Sequence, residues 1–258
     1  MSELKSDPQL EIAHVLFIDI VGSSKLLTNE QSELLRGLNQ IVRSTEQFRA
    51  AEAAGKLIRL PTGDGMALAF FSSPEAPVRC ALEISKALQN YPKLQLRMGV
   101  HSGPVDAVVD VNDRSNIAGA GISMAQRVMD CADAGHILIS KRIAEDLAQY
   151  SKWQPHLHDL GECEVKHGAK IDIVNVYTDE LGNPATPDKL KQQRGKTGGV
   201  ETIGSKPQRK KRIAVLPFKP LSPENRDQAL ELGMADALIT KLSDQCGQWF
   251  FALGGHIR

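Results

Sequence analysis

An α+β fold with a βαββαβ core is what this 258-residue sequence predicts, and two kinds of observation support it. Short apolar runs of strand type alternate with stretches whose apolar residues recur at the spacing of one helix face. The turn Pro61–Gly65 separates two such strand-like runs and indicates a hairpin between them. The element order then predicts helices packed on one face of a mainly antiparallel sheet.

The elements follow one another in the order βαββαβ and then αββ, which is ferredoxin-like with a C-terminal addition. The first helix is expected to begin at Ser23 or Ser24, either of which would serve as its N-cap. The strands are predicted at 13–20, 56–60, 66–71, 94–100, 105–111, 136–139, 155–160 and 171–177. The helices are predicted from Ser23 or Ser24 to Val42, and at 74–88, 119–132 and 141–149.

Composition excludes several classes of protein. The formal net charge is zero, whereas a nucleic-acid-binding protein usually carries a basic surplus. The N-terminus lacks the pattern of a signal peptide, and no apolar run approaches the roughly 18 residues of a membrane span. Four scattered cysteines without CxxC spacing predict reduced thiols, not a disulfide framework or a zinc site. The sequence therefore predicts a cytoplasmic protein.

Four segments are predicted along the chain. Residues 1–11 form an N-terminal tail and 12–178 the main domain. Residues 179–210 hold few large apolar side chains and predict a flexible linker. The basic cluster Lys206–Arg212 is best explained as solvated linker, and contact with RNA or anionic lipid is the alternative. Residues 211–258 predict one strand at 213–218 and one helix at 225–243, followed by an apolar tail from Trp249. This is too little for a stable domain, so the unit is expected to be truncated.

Two aspartates stand at strand ends beside glycine-containing turns. Asp19 ends the run 14–18, and Asp64 lies within Pro61–Gly65. A carboxylate in such a place is poorly explained by core packing, because burying it unpaired is costly. Two of them beside backbone that can approach a ligand predict a shared Mg²⁺ or Mn²⁺ site for a phosphate substrate.

Four motifs in order resemble the catalytic domain of class III adenylate and guanylate cyclases. They are VLFIDIVGSS, LIRLPTGDGMALAFF, LRMGVHSGPV and GISMAQRVMDCADAGHILIS, within residues 12–178. The resemblance implies the class III cyclase fold and conversion of ATP or GTP to a 3′,5′-cyclic nucleotide and pyrophosphate, in signal transduction. The C-terminal segment more weakly resembles a small α/β module found ahead of tetratricopeptide repeats, through which further protein partners could bind.

The resemblance also implies roles for individual residues. Asp19, the backbone of Ile20 and Asp64 would hold two divalent ions, and Arg127 would neutralise charge on the α-phosphate in the transition state. The phosphate-binding positions would be Val21, Gly22, Ser23, Ser24 and Lys166. In the family the metal ligands and the base contacts come from different subunits, which implies a homodimer with its active sites at the interface.

Several positions depart from the family pattern. The usual base-selecting lysine is replaced by Leu60, with Arg59 one residue earlier, and the partner base-contacting position is Asn116. The usual transition-state asparagine is Ser123. These changes leave two hypotheses: an active purine nucleotide cyclase, or a regulatory module that binds nucleotide and dimerises without turnover.

Overall fold

The computed structural model describes residues 11–109, 115–165, 169–197, 212–215 and 250–253. The chain divides into two compact units, Met1–Gly199 and Val200–Arg258. The first unit contains the predicted α+β domain. Among the described residues, no helix is both long and apolar enough to cross a bilayer.

The first unit is built on a sheet in the order β2-β3-β1-β4-β6-β8-β7, with β5 paired to β4. Neighbouring strands are antiparallel except β4 and β6, which are parallel. The strands are β1 Glu11–Ile20, β2 Leu57–Pro61, β3 Gly65–Phe70, β4 Leu96–Val109, β5 Ser115–Ala118, β6 Ile137–Ser140, β7 Leu157–Glu164 and β8 Lys170–Val176.

Six α-helices are present in the described part of this unit. They are α1 Thr28–Ser44, α2 Glu46–Ala53, α3 Glu75–Leu88, α4 Ala120–Met129, α5 Lys141–Ala148 and α6 Asp188–Thr197. The element order contains the predicted βαββαβ core, from β1 to β4, and the predicted αββ, from α5 to β8, while β5, α4 and β6 lie between these two parts and α6 follows them. The first helical region is divided into α1 and α2 at Thr45, which has an extended backbone.

Helices pack on both faces of the sheet, so the prediction that they lie on one face is wrong. Alternate residues of β1 enter different clusters: Leu16 and Ile18 pack with α1, α2, α3 and α5, whereas Val15 and Phe17 pack with α4. Leu190 of α6 packs in a third cluster, with Val128 of α4. Because successive strand residues point to opposite faces, the apolar run Val15–Ile18 of β1 requires cover on both sides.

Two glycines allow the backbones around the centre of the sheet to approach closely. A Cβ on Gly65 would lie 2.1 Å from the carbonyl oxygen of Ile18, and one on Gly99 would lie 2.3 Å from the backbone nitrogen of Met129. A side chain at either position would therefore push β3 from β1, or α4 from β4. These contacts fix the hairpin turn and α4 against the two central strands.

Two of the predicted boundaries that differ from the structure lie beside β1. Ser23 does not cap α1: residues Ser23–Lys25 form a short 3₁₀ turn, and α1 begins at Thr28. The predicted strand 94–100 and extended arm from Val105 are one strand, β4. Ser102 and Gly103 stay in this strand because their backbones pair with β1, in spite of their turn-type sequence.

The segment predicted as a flexible linker begins with ordered structure. The Asn175 amide donates to the carbonyl of Asn183 at 2.8 Å, and the buried His136 ring lies 2.7 Å from the carbonyl of Ala185. The helix α6 follows, with Leu190 only 1% exposed. One buried leucine and several hydrogen bonds to backbone carbonyls thus order a segment whose composition alone predicted no ordered structure. The end of the predicted linker, from residue 198, lies outside the described residues.

The second unit is described at two strands, β9 Arg212–Val215 and β10 Phe250–Leu253, which pair in parallel. The first coincides with part of the predicted strand near 213–218. The second forms from the apolar tail. The helix predicted at 225–243 lies outside the described residues.

We expect the stability of the domain to fall as the pH drops from about 6.5 towards 4, because of His101 on β4. Burial and, to a smaller extent, the charge of Arg142 together lower the pKa of His101 from 6.5 to about 4. A histidine whose pKa is depressed by folding favours the folded state when neutral, so its contribution is complete above the unfolded pKa and is lost as the pH falls through this window.

The ring nitrogen Nδ1 of His101 hydrogen-bonds Ser140 Oγ at 2.9 Å, so His101→Asn keeps a polar partner there and removes the titration. Urea denaturation at about pH 7 and about pH 5 measures the free energy of unfolding of both chains. Between these pH values it should fall more for the wild type than for the variant, by on the order of 1 kcal/mol after allowance for partial exposure. Equal losses for both chains would contradict the assignment.

Candidate active site at the ends of β1 and β3

Asp19 lies near the end of β1, where the pairing register places it opposite Gly65 of β3 and Arg97 of β4. The Arg97 guanidinium donates to Asp19 Oδ2 from Nε at 2.8 Å and from Nη2 at 2.7 Å. Both Arg97 contacts are made to the same carboxylate oxygen, so this ion pair does not use Oδ1 of Asp19.

Asp64 reaches the same place from the β2–β3 turn. The Ser23 hydroxyl donates a short hydrogen bond to Asp64 Oδ2, and the Gln31 side chain of α1 donates to the Ser23 carbonyl at 3.0 Å. A cavity of about 160 Å³ adjoins these groups. It is lined by Ile20, Ser23, Thr28, Gln31, Ser32, Leu35, Gly63 and Asp64.

A larger cavity, of about 730 Å³, lies elsewhere, between the start of α1 and the α3–β4 connection. It is lined by Leu26, Glu30, Glu33, Leu34, Gly37, Asn90, Tyr91, Pro92, Lys93 and Leu94. None of the predicted site residues lines it, so volume alone does not locate the chemistry.

The two carboxylates interact directly. Burial raises the pKa of the Asp19 carboxyl above its ordinary value; Arg97 opposes this rise, and the neighbouring Asp64 carboxyl adds to it. Two carboxylates this close repel one another unless a proton or a cation lies between them. The arrangement therefore favours binding of a positive ion.

The donor set fits a hard divalent cation. Asp19 and Asp64 supply carboxylate oxygens, and the chain direction at Ile20 brings a backbone carbonyl near the same strand end. Across the described residues, no group of three or more His, Cys, Asp or Glu side chains could hold a metal. A cation here would therefore complete its coordination with water or with oxygens of a bound ligand, as Mg²⁺ commonly does.

The backbone from Val21 to Ser24 is only partly available to a phosphate. The Val21 N–H donates to the Gln95 carbonyl at 2.8 Å and is therefore engaged. Gly22 has a left-handed backbone with φ of 79° and starts the 3₁₀ turn. Within the described residues, the N–H groups of Gly22, Ser23 and Ser24 have no protein acceptor, as is usual at the start of a helical turn.

Arg127 and Ser123 lie on α4, away from the carboxylates of the same chain. Ser123 is exposed and Arg127 is half-buried. Neither side chain contacts Asp19 or Asp64 within the described residues. The end of α4 does approach the site, because Asp130, which follows the helix, has Oδ1 4.0 Å from Arg97 Nη2.

The predicted base-contacting residues are divided between the two faces of the sheet. Leu60 packs with the α4 face, and β2 contacts β5, which carries Asn116. Arg59 points to the other face, where it pairs with Glu52 of α2 at 2.8 Å and lies 6.0 Å from the Phe48 ring. Strand alternation thus separates Arg59 from Leu60.

Asn116 is half-buried, and its amide oxygen accepts the N–H of the next residue, Ile117, at 2.8 Å. Its amide nitrogen is left to donate. Lys166, the predicted triphosphate-binding lysine, lies outside the described residues.

Arg97 is a site residue that sequence reasoning missed. The sequence does hold a sign of it, because Arg97 is the one charged residue of the predicted strand 94–100. That strand pairs with the strand that carries Asp19 near its end. A charge in such a strand is costly unless a partner is present, and it therefore indicates a buried counter-ion.

Residues 6–178 match the family described as "Adenylate and Guanylate cyclase catalytic domain". The chain is also 26% identical over 256 residues to the Rhizobium meliloti (strain 1021) protein named "Putative adenylate cyclase 3". That alignment covers 96% of this chain but 40% of the relative, so the chain spans less than half of the relative's length.

Solved cyclase structures share the fold. The adenylyl cyclase CyaB from P. aeruginosa is 22% identical, with a TM-score of 0.54, and the match covers 68% of this chain and all of that one (100%). The guanylate cyclase domain of RhGC from Catenaria anguillulae, in complex with GTP, is 23% identical with a TM-score of 0.53, covering 68% and 100%. These likenesses establish the class III cyclase fold.

We predict that Arg97 and Asp19 are energetically coupled. Arg97→Met should lower the free energy of unfolding by about 1–3 kcal/mol, because it leaves a half-buried carboxylate without its partner. In the background Asp19→Asn, the same substitution should cost clearly less. Urea denaturation of the wild type, both single variants and the double variant measures the coupling; additive changes would contradict it.

Proposed function

The chain belongs to the adenylate and guanylate cyclase catalytic domain family, and from that premise we propose that it converts ATP or GTP to a 3′,5′-cyclic nucleotide and pyrophosphate in intracellular signalling. The observation that carries the proposal is the convergence of Asp19 and Asp64 at one strand end. Their mutual repulsion, with Arg97 on one side only, makes this the most favourable place for divalent cations among the site residues.

Asp19 and Asp64 would hold two ions, Mg²⁺ or Mn²⁺, with the Ile20 carbonyl as a further ligand. When bound, these ions would lower the pKa of the attacking 3′-hydroxyl and offset the charge of the departing pyrophosphate. The protein's part is to hold both carboxylates in place. Strand pairing holds Asp19, and the Ser23 hydroxyl holds Asp64.

The phosphate chain would lie against the segment after β1. The N–H groups of Gly22, Ser23 and Ser24 can donate to phosphate oxygens. The Val21 N–H cannot, because it already donates to the Gln95 carbonyl, so Val21 serves only to hold the segment in place. The guanidinium of Arg97 has further donors beyond those given to Asp19, and so can contact the same phosphates. Lys166 is proposed as a further triphosphate contact on the family resemblance.

A complete site requires a second copy of the chain. Arg127 and Ser123 contact neither carboxylate of their own chain, so a transition-state role for them requires the nucleotide held by another subunit. We therefore place the active sites at the interface of a homodimer.

Base recognition would differ from a lysine-based pocket. Leu60 offers an apolar contact, and Asn116 retains an amide N–H₂ donor, which suits a ring nitrogen or carbonyl of a purine. Arg59 faces away and pairs with Glu52, so it leaves the proposed pocket.

The alternative is a nucleotide-binding regulatory module without turnover. It is favoured by Leu60, an apolar side chain where a charged base contact would be expected, and by Ser123, a short side chain on an exposed helix surface. The two hypotheses share the carboxylate site and differ in product formation.

We predict cyclic nucleotide formation by the whole chain with ATP or GTP in the presence of Mn²⁺. The specific rate should rise with protein concentration, because the active species is a dimer. Asp19→Ala should lower the rate by at least roughly a hundredfold, since it removes a metal ligand. Asp159→Ala, which breaks an exposed ion pair with Lys141, is the matched control and should retain the wild-type rate.

Nucleotide binding without product from either substrate would favour the regulatory module over the cyclase. A product whose rate is insensitive to Asp19→Ala would contradict the proposed site altogether.

We also predict that Asp64→Ala abolishes the Mn²⁺-dependent part of nucleotide binding. Titration with a fluorescent ATP analogue, with Mn²⁺ and with a chelator, measures that part directly. Asp64 is exposed in a turn, so the substitution should leave the fold intact, as circular dichroism would verify. Undiminished Mn²⁺-dependent binding would remove Asp64 from the metal site.

A further inference from the structure

Two cysteines meet beneath α6, although 31 residues separate them in the sequence. Cys131 is the second residue after the end of α4, and Cys163 lies on β7. Their sulfur atoms are 2.8 Å apart, and both thiols are free. Both residues are buried, with 1% and 0% exposure.

The two sulfur atoms need little movement to bond. A disulfide has an S–S length of about 2.05 Å, so small rotations of the two side chains close the gap between Cys131 and Cys163. The sulfur of Cys80, by contrast, contacts the Thr45 hydroxyl, 3.5 Å away.

The surroundings of the pair make its members unequal. Hydrogen bonding from Cys131 lowers the pKa of the Cys163 thiol, and the nearby Lys189 ammonium lowers it further. The pKa of Cys131 is raised, because it is the donor in that contact and is buried. Lys189 Nζ also lies 3.8 Å from Cys131 Sγ. The Lys189 charge lowers the pKa of both thiols, and the opposite directions of their overall shifts favour Cys163 as the nucleophile.

We propose that Cys131 and Cys163 form a redox-active dithiol that hydrogen peroxide converts to a disulfide and a thiol reductant restores. The Cys163 thiolate attacks one peroxide oxygen, the O–O bond breaks, and hydroxide leaves. The Cys131 sulfur, losing its proton, then attacks the resulting sulfenic acid, the S–O bond breaks, and water leaves. The pair gives two electrons to the peroxide.

The helix α6 controls access to the pair. Leu190 packs in the same cluster as both cysteines, and α6 carries few other apolar groups. The helix is attached mainly by polar contacts: the Asp188 N–H donates to Asp133 Oδ2 at 2.7 Å, and the Gln193 amide donates to the Glu164 carbonyl at 2.8 Å. Such contacts open more readily than a packed core, so peroxide reaches the thiols when α6 lifts.

The bond would connect α4 to β7. Cys131 Sγ already contacts the carbonyl of Arg127 at 3.4 Å, so the C-terminal turn of α4 would be tied covalently to the far edge of the sheet. The dithiol does not depend on cyclase activity and can be tested without it.

Peptide mapping tests the proposal on the whole wild-type chain. Trypsin places the four cysteines in different peptides, with Cys131 in 128–141 and Cys163 in 153–166. After reduction, dilute hydrogen peroxide should yield these two peptides linked, lighter than their sum by two hydrogens, and dithiothreitol should release them. Cys163→Ser should abolish the linkage, and Cys80→Ser, the matched buried control, should keep it.

The absence of the linked pair, or oxidation of Cys80 at the same rate as Cys163, would overturn the proposal. The second result would mean that peroxide enters by global unfolding. Because the mapping uses the wild type, it does not depend on whether a variant folds.

The access step has its own test. Leu190→Ala should speed formation of the linked peptides roughly tenfold, because it removes the main apolar anchor of α6. Gln192→Ala changes an exposed residue of the same helix and should leave the rate unchanged. Equal rates in the two variants would show that α6 does not control access.

Discussion

The antiparallel register of β1 with its two neighbours is the constraint on which the rest of the domain depends. It places Asp19 between Gly65 of β3 and Arg97 of β4. A shift of one residue would reverse every side chain of β1, moving Leu16 and Ile18 to the α4 face and Asp19 into the larger core. Core packing and site geometry are therefore set by one pairing.

The register also explains why the residue that ends the β2–β3 turn must have no side chain. Gly65 begins β3 where a Cβ would collide with the Ile18 carbonyl, so the hairpin can bring Asp64 to Asp19 only if this position lacks a side chain. The site is thus assembled mainly by backbone geometry. The Ser23 side chain then holds Asp64, and the Arg97 side chain holds Asp19.

Much of this could be predicted from the sequence because the signals are local. Strand-ending Asp19, the Pro61–Gly65 turn and the change from strand to helix periodicity are each contained in a few residues. The two-sided cover of the sheet, the role of Arg97 and the meeting of Cys131 with Cys163 depend on pairing between distant segments. Periodicity carries no information on which strands become neighbours.

The ordered segment from Thr178 to Thr197 illustrates a further limit. Its composition suggested a linker, because it can bury little apolar surface. The His136 ring, Asn175 and a single leucine, Leu190, are enough to order it against a preformed surface. A segment that cannot fold by itself can still be ordered by a domain that has already folded.

The contact between Gly99 and Met129 limits how α4 can move. With backbone against backbone and no side chain to act as a spacer, α4 cannot slide along β4 or rotate about its own axis without a collision. Any rearrangement that changes the position of Arg127 must therefore carry the central strands with it, and with them Asp19.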